Sequence, residues 1–141
     1  MLRQAHHHPG VVLVDDHSAV REALASLLEE EGLCVWAQAG GRDEALACVA
    51  LEKPDLALVD LSLDGENGLP LVAELNRLGI PVIVCSSHED PAHVRHALAA
   101  GARAYVSKRE AGQALAHAIR EALEGWVLVS PRAADDLAEG A

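Results

Sequence analysis

The sequence predicts a doubly wound α/β fold in which five parallel strands alternate with five helices. Five short apolar runs recur along the chain, and each is followed by a segment with helical spacing of its apolar residues. The runs are continuously apolar rather than alternating, as expected for strands that helices cover on both faces. They are VVLV at 11–14, LCVWA at 33–37, LALV at 56–59, VIVC at 82–85 and ARAYV at 102–106. Right-handed crossovers between such strands give a sheet sandwiched between helices.

The first two predicted helices follow from apolar spacing and from the residues that end them. Between the first two runs, apolar side chains repeat on one helical face, and Gly32 stands where the helix would end. These side chains are Val20, Ala23, Leu24, Leu27 and Leu28. A second helix is predicted over residues 42–52 around Ala45 and Val49, because Pro54 disfavours helical angles in the residue before it.

The remaining three helices are predicted in the same way. The third is predicted to end at Gly79, and the fourth to begin with Asp90 as N-cap and Pro91 at its first position. The fifth ends near Gly125. The apolar faces are formed by Val72, Leu75 and Leu78 in the third helix, Val94, Ala97 and Leu98 in the fourth, and Leu115, Ala118, Ile119 and Ala122 in the fifth.

The length of 141 residues leaves room for one domain. We predict this domain over residues 10–125, after a disordered N-terminal tail at residues 1–9. Residues 126–141 are predicted to be a linker or the start of one more helix, since they are too few for another domain.

The composition argues against several classes of function. The formal net charge of −11 opposes binding to nucleic acid, because that affinity comes largely from Lys and Arg on phosphates. No apolar run approaches the roughly 20 residues that span a bilayer, and the first residues lack the apolar stretch of a secretory signal. We therefore expect a cytoplasmic protein with no membrane partner. Three cysteines without a CxxC pattern predict neither a disulfide framework nor a zinc site.

Polar side chains follow the apolar runs at the points where the strands should end. Asp15 and Asp16 follow the first run, Asp60 the third and Ser86 the fourth, while Lys108 stands just beyond the fifth. In open parallel sheets, ligands bind beyond the carboxyl ends of the strands, where the crossover direction reverses. We therefore expect these side chains to meet at one edge of the sheet.

Three carboxylates in one pocket repel one another unless a cation lies among them. With oxygen ligands only, Mg²⁺ is the predicted ion, because it favours oxygen sites that retain water and accept phosphate oxygens. Lys108 adds a second positive charge. A hard cation, an ammonium group, a hydroxyl and a carboxylate acceptor together are what phosphoryl transfer requires.

The motif order is similar to that of response-regulator receiver domains, the CheY-like superfamily. The similarity rests on Asp15-Asp16, Asp60, Ser86, Tyr105 and Lys108 at successive strand ends, and on DLSLDGENGL after the third strand. It covers residues 11–124, and the segment from Gly101 to Pro131 is similar to the end of NarL/LuxR-type receivers. The resemblance implies a flavodoxin-like five-stranded parallel sheet in the order 2-1-3-4-5.

The resemblance also implies a role for each site residue. Asp60 would accept a phosphoryl group from a sensor histidine kinase. Asp16 would bind Mg²⁺ directly, Asp15 would assist through water, and Ser62 would offer its backbone carbonyl. Further roles are implied for Ser86 and Lys108, which would bind the phosphoryl oxygens, for Tyr105, which would swing inward as the switch, and for Ser87 and His88, which are candidates for tuning.

The implied output is control of transcription through a helix-turn-helix domain that this chain does not contain, so DNA would be a partner only through that domain. A stand-alone single-domain receiver in a phosphorelay is the alternative. A homodimer is also expected, since members of the subfamily commonly associate when phosphorylated. The chain would be a signalling receiver rather than an enzyme, with only self-phosphorylation and autodephosphorylation chemistry.

Three other functions were weighed against the receiver. A phosphatase of the haloacid dehalogenase type would need a second Asp where Ser62 stands. A flavodoxin-like nucleotide binder would need a Gly-rich loop where the sequence reads DDHSAV. A degenerate receiver acting only as an interaction module would lack part of the site, whereas every site residue is present here.

Overall fold

The computed structural model describes residues 10–63, 66–87, 91–108, 113–124 and 128–129. The strands are β1 (Gly10–Val14), β2 (Cys34–Ala39), β3 (Leu56–Val59), β4 (Ser62–Leu63), β5 (Glu66–Asn67), β6 (Val82–Ser86), β7 (Ala104–Ser107) and β8 (Leu128–Val129). The helices are α1 (Ser18–Glu30), α2 (Arg42–Leu51), α3 (Leu69–Arg77), α4 (Pro91–Ala99) and α5 (Gln113–Leu123).

The main sheet is parallel and has the strand order β2-β1-β3-β6-β7-β8. The five long strands therefore follow the predicted order 2-1-3-4-5, and the fold class is confirmed. Leu58 of the central strand β3 pairs with Leu13 on one side and Ile83 on the other. The direction of the crossovers reverses between β1 and β3, which places the predicted ligand edge at their carboxyl ends.

Two short elements were not predicted. Leu128 and Val129 add a sixth parallel strand beside β7, in the segment expected to be a linker or the start of a helix. Ser62–Leu63 and Glu66–Asn67 form a two-stranded antiparallel hairpin directly after the end of β3. Two paired strands therefore follow Asp60 in the described residues 62–63 and 66–67.

The two faces of the sheet bury separate apolar layers, because alternate strand residues point to opposite faces. Helices α2, α3 and α4 cover one face and α1 and α5 cover the other. The first layer includes Val12, Val14, Val49, Leu71, Leu75 and Val94, and the second includes Val11, Leu13, Leu24, Leu28, Leu115 and Ile119. This doubly covered sheet explains the continuously apolar strands.

The predicted helices are all present, with small differences at their ends. Helix α3 ends at Arg77, and Leu78, which was predicted to lie on its apolar face, is its C-cap and 49% exposed. Val20 and Ala23, predicted on the apolar face of α1, are also exposed, because the buried side of this helix is centred on Leu24, Ala25 and Leu28. Gly32 and Gly79 both adopt the positive φ angles of helix C-terminal stops. Among the described residues, no helix has the length and apolar character needed to cross a membrane.

Several predictions of the sequence fall outside the described residues. They concern the tail at residues 1–9, the N-cap at Asp90, the end of the fifth helix near Gly125 and the segment after residue 129. The domain bounds at residues 10–125 accordingly stay a prediction.

The packing of α1 gives a first testable prediction. Leu28 is fully buried, whereas Leu51 at the end of α2 is 90% exposed. We expect Leu28→Ala to lower the free energy of unfolding by about 2–5 kcal/mol, because it leaves a cavity in the core. The matched control Leu51→Ala should change it by less than about 0.5 kcal/mol. Urea unfolding of both variants measures the difference, and equal losses would contradict the described packing.

Candidate phosphoryl-transfer site

The structure brings the predicted polar residues to the carboxyl edge of the sheet. Asp15 and Asp16 follow β1, Asp60 follows β3, Ser86 ends β6 and Lys108 follows β7. Asp15, Asp60 and Ser86 are buried, with exposed fractions of 1%, 5% and 0%. Burial of two carboxylates at one end of a sheet requires compensation by positive charge or hydrogen bonds.

Lys108 supplies that compensation. Its Nζ donates a hydrogen bond to Oδ2 of Asp15 at 2.9 Å and another to Oδ2 of Asp60 at 3.0 Å. One ammonium group therefore joins the carboxylates at the ends of β1 and β3 to the end of β7. The Lys108 side chain keeps 22% of its surface exposed, so its contacts are partly screened rather than fully desolvated.

The protonation of Lys108 is fixed by these contacts. Partial burial alone would lower the pKa of Lys108, because a charged ammonium group is better solvated in water. The hydrogen bonds and negative charges of Asp15 and Asp60 outweigh burial and raise the pKa above its ordinary value. Lys108 therefore remains a cation at neutral pH and balances part of the negative charge of the pocket.

The second oxygen of each buried carboxylate is held by its own loop. Oδ1 of Asp15 accepts the backbone N–H of His17 at 2.9 Å, and Oδ1 of Asp60 accepts the backbone N–H of Ser62 at 3.1 Å. Such Asx turns fix a side chain by bonding it to the backbone two residues ahead. Both carboxylates are thus oriented from two sides, with one oxygen toward Lys108 and one toward the chain.

Asp16 and His17 complete an acidic group at the end of β1. Nδ1 of His17 lies 3.3 Å from Oδ1 of Asp16 and 3.9 Å from Oδ1 of Asp15. One ligand atom from each of the three residues can be chosen so that all lie within 4.8 Å of one another. The group has the donor types and spacing that could hold a metal ion.

Arg21 is a contact of the site that the sequence did not reveal. Its Nη1 donates to the backbone carbonyl of Asp15 at 2.6 Å, and its Nε donates to Oε1 of Gln38 at 3.1 Å. Arg21 thereby ties α1 to the loop after β1 and to the end of β2. Its position one turn into α1 carried no motif that would have identified it.

Gly68 is a second residue that sequence reasoning missed. A Cβ atom at this position would lie 2.7 Å from the backbone oxygen of Asp60 and 3.0 Å from Cα of Leu61. The N–H of Gly68 also donates to the carbonyl of Leu61 at 2.8 Å. The start of α3 therefore packs directly on the backbone of Asp60, which only a residue without a side chain allows. The second glycine of DGENGL, which is Gly68, was a signal that could have indicated this contact.

The remaining predicted residues lie at different depths. Ser86 is fully buried and pairs in register with Ser107 of β7, while Ser87 is exposed. Ser62 is exposed beyond Asp60, and its backbone N–H donates to Oδ1 of Asp60. The predicted role of its carbonyl as a metal ligand stays a prediction. Tyr105 is fully buried in the layer beneath α2, α3 and α4, so it occupies an inward position. His88 lies outside the described residues.

Cys85 lies within the electrostatic reach of the site. Burial raises the pKa of Cys85 to about 12, although the positive charge of Lys108 acts in the opposite direction. The nearby carboxylates of Asp60 and Asp15 raise it further. Cys85 is therefore a neutral thiol at physiological pH and adds no charge to the pocket.

The donor set fits a divalent cation. Carboxylate oxygens are the preferred ligands of Mg²⁺ in proteins, and Asp15 and Asp16 offer them at the end of β1. The ammonium group held between Asp15 and Asp60 shows that this edge of the sheet is built to receive positive charge. The residues present could accordingly hold a metal ion beside the carboxylate of Asp60.

Comparison with known proteins identifies the family. The family model described as the response regulator receiver domain matches residues 11–120, which is most of the chain. The chain belongs to this family. The resemblance found in the sequence is thereby confirmed, and the chain is a receiver domain of two-component response regulators.

The relatives place this receiver among NarL/LuxR-type regulators. The transcriptional regulatory protein UhpA of Salmonella typhimurium is 38% identical over 131 residues, which are 92% of this chain and 66% of that protein. The DNA-binding transcriptional activator DevR/DosR of Mycobacterium tuberculosis is 36% identical over 127 residues, which are 88% of this chain and 58% of that protein. The receiver spans less than two thirds of the length of these curated relatives.

A solved structure agrees with the observed fold. The crystal structure of a two-component response regulator of the LuxR family from Aurantimonas sp. SI85-9A1 superposes with a TM-score of 0.89 at 31% identity. The match covers 94% of this chain and 97% of that chain.

The contact of Gly68 predicts the effect of adding one methyl group. Its φ of −77° suits any residue, so Gly68→Ala is penalised only by the clash with the backbone of Asp60 and Leu61. We expect a loss of about 1–3 kcal/mol in the free energy of unfolding. Gly41→Ala is the matched control, because a Cβ atom there has nothing within 4 Å. Urea unfolding compares the two, and a neutral Gly68→Ala would contradict the close approach.

The raised pKa of Lys108 predicts a dependence of stability on alkaline pH. A lysine with a folded pKa above its ordinary 10.5 stabilises the protein fully below that value. The contribution is lost as the pH rises through the folded pKa. We therefore expect the free energy of unfolding of the parent to fall more steeply between pH 10.5 and the folded pKa of Lys108 than that of Lys108→Met. Urea titrations over a series of pH values measure both slopes.

Two controls isolate Lys108 in that experiment. The raised pKa of Cys85 also makes stability fall between its ordinary 9.0 and about 12. Because Lys108 influences that pKa, the parent and Lys108→Met are both compared in a Cys85→Ala background. Lys53→Met removes an exposed lysine and should keep the parental slope. Parallel curves for the parent and Lys108→Met would show that the two ion pairs add nothing to folding.

Proposed function

We propose that this receiver takes a phosphoryl group from a sensor histidine kinase onto Asp60 in the presence of Mg²⁺. The observation that supports the proposal is the buried carboxylate of Asp60, which shares one ammonium group with Asp15. A carboxylate oriented by a lysine and by a backbone N–H is placed to act as a nucleophile rather than as a solvated loop residue.

The proposed transfer is a displacement at phosphorus. One oxygen of Asp60 attacks the phosphorus atom of phosphohistidine and forms a P–O bond. The P–N bond breaks, and its electron pair leaves with the imidazole of the kinase, which takes up a proton. With acetyl phosphate as donor, a P–O bond breaks instead and acetate leaves.

Asp16 and Asp15 are the proposed ligands of Mg²⁺, together with Asp60 and the backbone carbonyl of Ser62. When bound, the ion supplies positive charge that offsets the negative oxygens of the phosphoryl group. The buried position of Asp15 and its bond to Lys108 support a ligand that acts through water, while Asp16 is more exposed. The loop bond from His17 to Asp15 holds this part of the pocket in place before an ion arrives.

Lys108 and Ser86 are the proposed contacts of the phosphoryl group. Lys108 already donates to Oδ2 of Asp60, so a new phosphoryl oxygen can take over that hydrogen bond without leaving the ammonium group unpaired. Ser86 ends the adjacent strand β6 and is fully buried. Its hydroxyl would donate to a second phosphoryl oxygen, and Ser87 and His88 are candidates for tuning the lifetime of the product.

Tyr105 is the proposed switch residue. Tyr105 lies on β7, which is hydrogen-bonded to β6, the strand that ends at Ser86. A movement of Ser86 can therefore be transmitted to Tyr105 through the paired strands. Its side chain is fully buried, which supports a residue that can respond to changes in packing beneath the helices. A phosphoryl group would favour this position only if it makes contacts there that the outward position lacks.

The proposed output is regulation of transcription. The curated relatives described above are transcriptional regulators that are longer than this chain. We propose that this receiver works with a helix-turn-helix domain outside the chain, forms a homodimer when phosphorylated, and acts in the cytoplasm. A stand-alone receiver within a phosphorelay is the second candidate, since the chain contains the receiver site in full.

Phosphorylation of Asp60 can be tested by intact-protein mass measurement. After incubation with Mg²⁺ and acetyl phosphate, we expect the parent to gain the mass of one phosphoryl group. Asp60→Asn should gain none, because an amide oxygen is too weak a nucleophile. Removal of Mg²⁺ with a chelator should abolish the gain in the parent.

Asp55→Asn is the matched control. Asp55 precedes the same strand β3 at its opposite end, where its Oδ2 accepts the backbone N–H of Gly10 at 2.7 Å. Asp55, like Asp60, lies one residue from the end of β3. Asp55→Asn therefore removes a carboxylate in a matching position and should still gain the phosphoryl mass. Phosphorylation of Asp60→Asn would show that another residue is the acceptor.

A further inference from the structure

His17 lies at the N-cap position of α1, directly after the two aspartates of the pocket. Its backbone is extended, with φ −90° and ψ 104°, and its side chain makes no capping hydrogen bond to α1. The backbone N–H of His17 is instead used to hold Asp15. The imidazole is thus not committed to the helix and stands beside the acidic group.

The ring of His17 faces the same space as the carboxylates. Its Nδ1 lies 3.3 Å from Oδ1 of Asp16 and 3.9 Å from Oδ1 of Asp15. Ligand bonds to a transition-metal ion are about 2.0–2.2 Å long, so atoms that share one ion lie roughly 3–4.4 Å apart. Both distances fall within this range.

Asp15 can contribute an oxygen ligand beside His17 and keep its hydrogen bond from Lys108. Its Oδ2 accepts the hydrogen bond from Lys108, whereas its Oδ1 is the oxygen nearest His17. Arg21 fixes the backbone carbonyl of Asp15 from the other side of the loop. The loop therefore presents two oxygens and one nitrogen with little need for rearrangement.

We propose that His17 is a nitrogen ligand of the divalent ion in this pocket and that it strengthens the binding of transition-metal ions of the Mn²⁺ to Zn²⁺ series without strengthening that of Mg²⁺. The inference rests on the acidic metal pocket of the proposed function. Its chemical reason is that a neutral imidazole suits these ions, whereas Mg²⁺ prefers oxygen ligands alone. Mg²⁺ would still be held by the carboxylates.

Pulsed electron paramagnetic resonance of bound Mn²⁺ tests the ligand directly. The measurements use the full chain with His6, His7 and His8 replaced by Ala, because three consecutive histidines would bind transition metals themselves. We expect nitrogen coupling at Mn²⁺ in this parent and its loss in His17→Gln. His117→Gln is the matched control, since His117 is also an exposed histidine, 3.8 Å from Glu121. This control should keep the nitrogen coupling.

Calorimetric titration with Co²⁺ and with Mg²⁺ gives the selectivity. We expect His17→Gln to weaken Co²⁺ binding about tenfold, as the loss of a metal-site partner commonly does, and to change Mg²⁺ binding less than about twofold. Asp16→Asn should weaken the binding of both ions. Equal weakening of both ions in His17→Gln, or of neither, would overturn the selectivity.

The outcomes separate this inference from the function on which it rests. Mn²⁺ that binds without nitrogen coupling, and is lost in Asp16→Asn, would remove His17 as a ligand and leave the acidic pocket intact. In that case His17 and Asp16 form a surface ion pair only. Failure of both Mn²⁺ and Mg²⁺ to bind the parent would overturn the metal pocket of the proposed function as well.

Discussion

The sharing of one ammonium group by two buried carboxylates is the constraint on which this site depends. Asp15 and Asp60 end strands on opposite sides of the crossover reversal, and Lys108 reaches both from the end of β7. Without the Lys108 ammonium group, keeping both buried carboxylates ionised would cost much free energy. The strand order, the loop turns and the glycine beneath Asp60 all serve to bring these three side chains within hydrogen-bonding distance.

Much of the fold could be predicted because its apolar pattern is strong. Continuous apolar strands and amphipathic helices specified the five long strands, the five helices and the two layers they bury. The strand pair Ser62–Leu63 and Glu66–Asn67 and the strand Leu128–Val129 were missed, because elements of two residues carry no periodicity. Leu78 was predicted to be buried on the apolar face of α3 but is exposed at its C-cap. The apolar spacing continues past the last turn of the helix, whereas the helix ends at Arg77.

The candidate site could be predicted at the level of residue types and strand ends. The convergence of Asp15, Asp60 and Lys108 follows from the topology of a parallel sheet, and the structure agrees with it. The role of Arg21 could not be predicted, since it acts through the backbone carbonyl of Asp15 and no motif marks it. For Gly68 the sequence held only the glycine itself as a signal, because the contact depends on how the loop after Asp60 folds. The same limit applies to His17, whose ring position depends on the loop conformation that Asp15 imposes.

The neutral thiol of Cys85 has a consequence for its reactivity toward oxidants. Peroxide attacks thiolates rather than protonated thiols. Cys85 is 2% exposed and its thiol has a pKa of about 12, so almost none of it is in the reactive form. Peroxide would therefore spare Cys85, the residue before Ser86 in β6. The free thiols of Cys34 and Cys48 are only partly buried and would react before it.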